Sequence, residues 1–162
     1  MKLLTLTMVL LCGFGLSLSS CKSKQNQGTE RVAGVPEDFQ LVIYHQGCRG
    51  SCPDYKITVD ATGTAVYEGR RAVEMLGTYK KVLDADVVRD LHKTLKKYNY
   101  FELEEVYGGG VADLPELHIT ATMDGNTKKM VDIRYAPVEV KEMEARLETL
   151  IGMDDWERTS AP

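Results

Sequence analysis

The chain is poor in everything that marks a specialised class. Its 162 residues hold four Cys, three His and one Trp. Four cysteines in this length do not make a disulfide-dense miniprotein. Basic residues number 20 against 24 acidic, for a formal charge of −4. The acids are spread along the chain, so the basic stripe of a nucleic-acid binder is missing. No Ser has the Gly-x-Ser-x-Gly setting of a nucleophile elbow. Gly108-Gly109-Gly110 lacks the Lys-Ser/Thr of a phosphate loop and follows a helical segment, so it reads as a flexible connection. What remains is 43% apolar and 27% charged residues, close to globular averages and enough for one ordinary domain.

The N-terminus reads as an address. Met1-Lys2 supplies one positive charge, and Leu3 to Leu16 is dominated by Leu, Met, Val, Phe and Gly. That run is shorter than the roughly 20 residues of a membrane-spanning helix and suits a secretory signal. It ends in Leu18-Ser19-Ser20-Cys21, which resembles the lipobox of bacterial lipoproteins. The resemblance implies a signal peptide over residues 1–20, cleavage before Cys21 and acylation of Cys21. Cys12 is a poor rival, because Leu11 is too large for the position before a cut. Loss of Lys2 leaves 19 basic against 24 acidic residues, or −5, so anionic headgroups repel the body and the lipid must supply membrane attachment. Residues 21–37 read as a flexible polar tether with a reach on the order of 20 Å. Neither an Asp after Cys21 nor an acidic cluster is present. The expected location is the cell envelope, at the outer membrane facing the periplasm.

Residues 38–158 read as a single α+β domain, with 159–162 as a tail. Leu41 to Tyr44 form a continuous apolar run, and Tyr55, Ile57 and Val59 alternate with polar residues. Asp60 to Gly63 is turn chemistry, Ala65 to Tyr67 returns as a hairpin arm, and Leu76 to Leu83 adds a strand. The period then becomes helical: Asp84 is a candidate N-cap, and Val88, Leu91, Leu95 and Tyr98 form a stripe. Leu117, Ile119, Ala121 and Met123 alternate again. After the Asp124-Gly125-Asn126 turn, Val131, Ile133 and Tyr135 are predicted to share one face. Pro137 opens a second helix with Val140, Met143, Leu147 and Leu150 as its stripe, and Gly152 suits its cap. The predicted architecture is a mainly antiparallel sheet of five to six strands with two helices on one face. His92, beside the first helix stripe, and His118, on a wet strand face, read as surface residues.

The most specific segment is Cys48-Arg49-Gly50-Ser51-Cys52-Pro53-Asp54-Tyr55. With Asp60 to Gly63, Val66-Tyr67-Glu68-Gly69, Asp113-Leu114-Pro115, Pro137 and Trp156, it resembles a bacterial family of unknown function carrying Cys-x-Gly-x-Cys-Pro-x-Tyr. The resemblance runs from Leu41 to Trp156, and Ala112 departs from it where the family tends to carry Thr. It implies a fold and a compartment but no activity. Arg49, Tyr55 and Asp113 are the candidate ligand-binding residues.

Cys48 and Cys52 have three readings. An exported pair four residues apart around a Gly forms a disulfide across a turn. A thiol-disulfide oxidoreductase would place its cysteine at a helix start, whereas Pro53 and a strand follow here. A metal site from His45, Cys48, Cys52 and Asp54 lacks the second Cys or His pair of structural zinc. No cofactor is expected. Two functions stand: a non-enzymatic envelope lipoprotein that binds an envelope partner, through an exposed sheet edge for example, or an envelope enzyme. A cleft of convergent polar groups near Cys48 or Asp113 would favour the enzyme, and a shallow surface with an open edge the binder.

Overall fold

The computed structural model describes residues 30–109 and 113–160. The signal segment, Cys12, Cys21, the first part of the tether, Gly110 and Ala112 lie outside the described residues, as do positions 161–162.

The chain runs β1 (Gln40–Gln46), β2 (Asp54–Asp60), β3 (Thr64–Arg71), β4 (Gly77–Val82), α1 (Ala85–Lys97), a 3-10 turn (Tyr100–Glu102), β5 (Val106–Tyr107), β6 (Glu116–Met123), β7 (Asn126–Asp132), α2 (Val138–Ile151) and β8 (Glu157–Ser160). These strands form one sheet in the order β5-β7-β6-β1-β2-β3-β4-β8. Every pairing is antiparallel except β5 with β7. The fold is therefore α+β, with eight strands against the five to six expected. The two additional strands are β5 and β8, of two and four residues, too short to show a period of two.

Local chemistry explains the turns. Asp60 Oδ1 accepts hydrogen bonds from the backbone N–H of Thr62 at 2.9 Å and of Thr64 at 3.1 Å, closing the β2–β3 hairpin. At the β6–β7 turn the Asp38 carboxylate accepts from the N–H groups of Asp124 and Gly125 at 3.0 and 2.7 Å. Asp84 takes the N-cap position of α1 but makes no side-chain capping bond. Basic residues are absent from the last turn of α2. Lys81 replaces them, donating to the carbonyls of Ile151 and Gly152 at 2.6 and 3.0 Å.

One face of the sheet carries the core. Leu41, Ile43, Ile57, Val59, Ala65, Tyr67, Ile119 and Ala121 are buried there against Val88, Leu91 and Leu95 of α1 and Val140, Met143 and Leu147 of α2. Burying each such side chain contributes about 1.5–3 kcal/mol before entropy. Val32, in the segment read as tether, is also buried, and its N–H bonds the carbonyl of Ala61 at 2.8 Å. The opposite face is polar, with Thr58, Thr120 and the Lys56–Glu68 ion pair.

Two sequence expectations need correction. In β7 the residues facing the core are Met130 and Asp132, while Tyr135 is 65% exposed. The run of Val131, Ile133 and Tyr135 looked like the inward set because the true inward set contains a carboxylate. His92 is buried at 8% exposure, edge-on to Phe39, so it is no surface residue. Burial lowers its pKa, helped by the Lys96 cation and opposed by Asp124. His118 does lie on the polar face, against Tyr44 and paired with Glu116 at 2.7 Å.

Candidate functional site

At one end of the sheet Pro53 before β2 and Leu114 and Pro115 before β6 line, with residues of α2, a cleft of about 550 Å³, within the size range of small-molecule sites. Its walls are apolar at Pro53, Leu114, Pro115, Leu117 and Ala145. The polar groups come from four elements. β1 supplies His45 and Gln46, the start of β6 supplies Glu116, the end of β7 supplies Asp132 and then Arg134, and α2 supplies Lys141, Glu144 and Glu148. On α2 these positions fall three, four and seven residues apart, so the helix presents them on one side.

Asp132 is fixed where β7 turns toward α2. Its Oδ1 accepts from the N–H of Arg134 at 2.8 Å and of Ala136 at 3.3 Å. The Lys141 ammonium pairs with Asp132 Oδ2 and lies 3.2 Å from Glu144 Oε2. The two acids have side-chain exposures of 0% and 4%. Glu144 Oε1 is shielded from water and has no hydrogen-bond partner among the described residues. Burial pushes the Glu144 carboxyl up to about 7, because the desolvation and the nearby Asp132 outweigh Lys141.

His45 forms the second group. Its Nε2 pairs with Glu148 Oε1, and its ring stacks on Tyr55 at 4.5 Å between centroids. Tyr55 in turn stacks on Tyr67 at 5.4 Å. Burial, with Glu148 and Tyr67 as neighbours, raises the Tyr55 pKa.

Cys48 and Cys52 form a disulfide with their Cα atoms 5.3 Å apart. Arg71 ties the loop down by donating to the Cys48 carbonyl at 2.6 Å. Arg49 reaches Asp113 in an exposed ion pair of 2.9 Å, linking this loop to the one before β6. So two candidate residues from the sequence meet at the cleft rim without lining it, and Tyr55 backs His45 from behind. His45 turns to Glu148, away from a cysteine ligand set. Among the described residues no group of three or more His, Cys, Asp or Glu is placed to hold a metal ion. Asp132, Lys141, Glu144 and Glu148 escaped sequence reasoning. The available signal was a charged residue at core-facing spacing, Glu144 beside Met143 and four after Val140.

Reducing the disulfide should lower stability by about 2 kcal/mol, because the loop it closes is short. The expected readout is a melting temperature several degrees lower, with the fold intact at room temperature; an unchanged melting curve would refute it.

The fold and site define a class: a helix-covered antiparallel sheet with an acidic cleft beside a short disulfide loop. Residues 39–151 match the family described as a domain of unknown function, DUF6438, and the chain belongs to that family. A search of curated proteins found no match to the chain.

Proposed function

We propose that the protein is a lipid-anchored cell-envelope lipoprotein, acylated at Cys21, whose domain is a non-enzymatic binding module with its ligand site in the α2 cleft. The observation that carries the binding reading is Glu144. A buried acceptor without a partner costs about 1–3 kcal/mol, and this one belongs to a side chain that lines an apolar-walled cleft. The anchoring half rests on the Leu18-Ser19-Ser20-Cys21 segment and the polar stretch after it. Both outer strands are short, so the cleft is the better docking place than a sheet edge.

The enzymatic alternative draws on the same convergence of His45, Glu148, Asp132 and Glu144, which by the criterion drawn from the sequence counts in its favour. Against it, no Ser, Thr, Tyr or Cys lines the cleft among the described residues, and His45 Nε2 is already engaged by Glu148. A thiol-disulfide oxidoreductase using Cys48 and Cys52 has no helix start beside the pair, because β2 follows Pro53.

Two variants test the halves separately. Cys21→Ser should abolish labelling by a fatty-acid analogue and release the protein from membranes; continued labelling would sink the anchoring half. Ala145→Trp should fill the cleft. Compounds retained by the wild type from a small-molecule and peptide extract, read by mass spectrometry, should be lost from this variant. Equal retention by both would remove the cleft from consideration.

A further inference from the structure

We infer that the cleft recognises a primary ammonium group on a short aliphatic stem, the chemistry shared by a lysine side chain and an alkyl diamine. This rests on the cleft being a binding site, and it assigns the ligand class.

The first argument is the charge count at the cleft floor. Two buried carboxyls, Asp132 and Glu144, share one ammonium from Lys141. Buried charges are stable when paired, and once Glu144 ionises this cluster is one cation short. The second is hydrogen-bond capacity. Asp132 Oδ1 is taken by two backbone N–H groups, and Lys141 stands at Asp132 Oδ2 and Glu144 Oε2, while Glu144 Oε1 remains without a donor. A ligand ammonium supplies donors and the missing charge together. The soft terminal torsion of Glu144 lets Oε1 turn to meet it. The third is the wall: Pro53, Leu114, Pro115 and Leu117 offer apolar surface to the methylenes of the stem. A metal ion is a poorer fit, since no ligand set of three acids, His or Cys converges there among the described residues.

The other charged groups at the cleft set the pH behaviour. His45 and Glu148 hold each other, Glu116 pairs with His118 on the polar sheet face, and Arg134 is exposed after β7. Glu144 is thus the group whose proton an arriving cation displaces. Binding should therefore release a proton and strengthen as pH rises from 5.5 to 8.

The test uses the full-length protein extracted in neutral detergent, with N-acetyl-lysine methylamide, N-acetyl-norleucine methylamide and 1,5-diaminopentane as probes. Titration calorimetry in two buffers of different ionisation enthalpy reads affinity and proton release. The two amines should bind, with proton release near neutral pH. The norleucine probe, which keeps the stem and lacks the ammonium, should bind about tenfold more weakly or worse. Glu144→Gln should weaken amine binding by a similar factor and abolish the proton release. Preference between the two amines tells a peptide side chain from a free diamine. Equal binding of lysine and norleucine probes would overturn the ammonium assignment while leaving the cleft as a site. Absence of binding by all three would overturn the assignment as well, and the Ala145→Trp retention experiment then decides the cleft separately.

Discussion

Glu144→Gln is expected to stabilise the protein at pH 8 by up to about 3 kcal/mol, and to leave it almost unchanged near pH 4.5. In the folded protein the Glu144 carboxyl titrates at about 7, against an ordinary value of 4.5. Between those two values the folded state holds a proton that the unfolded chain has released. Raising the pH through that window therefore removes stability, and the full penalty applies above 7. Glutamine keeps the size and hydrogen-bonding capacity of the protonated acid without its charge, so the penalty is absent. Lys141 still has Asp132 as its partner in the variant. His92 works in the opposite direction. Burial lowers its pKa, so its contribution is complete above about 6.5 and is lost as the pH falls below that. In the wild type the two slopes oppose each other. Guanidinium unfolding at pH 5, 6, 7 and 8 should show a shallow wild-type profile and a Glu144→Gln profile that rises with pH. A variant that tracks the wild type at every pH would mean that Glu144 carries no buried-charge penalty.

The same residue shows where sequence reasoning stopped. The strands with one apolar face were legible because alternation survives in them: Ile57 with Val59, and Ile119 with Ala121, face the core as their spacing implies. The two helix stripes were legible for the same reason, apart from Tyr98 and Leu150, which are only half-buried. The disulfide followed from spacing, Gly50 and the expected compartment. The resemblance to a family of unknown function runs from Leu41 to Trp156, and the family match covers residues 39–151. The cleft was hidden because its two central acids break the patterns that identify core positions. Asp132 holds an inward place in β7, which pushed the reading one residue out of phase. Glu144 sits among the buried residues of α2, where a carboxylate registers as a solvated position. Strand order was out of reach too. Placing β1 between β2 and β6 requires a long return of the chain through α1 and β5, and no local period encodes such a return. Arg49 and Asp113, two of the candidate ligand contacts, pair with each other, a contact across 64 positions that no spacing rule predicts.

Gly69→Ala should be the more damaging change, at about 3 kcal/mol or more, because its obstacle is backbone and cannot move aside cheaply. Gly69 pairs with Tyr55 on one side and Gly77 on the other. The connection from β3 to β4 folds back over it, so a Cβ there would stand 1.8 Å from the Met75 carbonyl oxygen and 2.8 Å from the Tyr67 ring. Moving Met75 means opening the start of β4. Moving Tyr67 means shifting the stack of Tyr67, Tyr55 and His45 that backs the cleft. The control is Gly125→Ala in the β6–β7 turn, where φ is 76° and a Cβ would meet nothing within 4 Å. That variant bears backbone strain alone, about 1 kcal/mol. Denaturant titration should place the Gly69 variant well below the control, with a melting temperature lower than wild type by on the order of 10 °C. Loss of the stack should also weaken whatever the cleft binds, while the control binds normally. Equal destabilisation by the two alanines would show that Met75 does not close over Gly69, and the β3–β4 connection would then have to lie elsewhere.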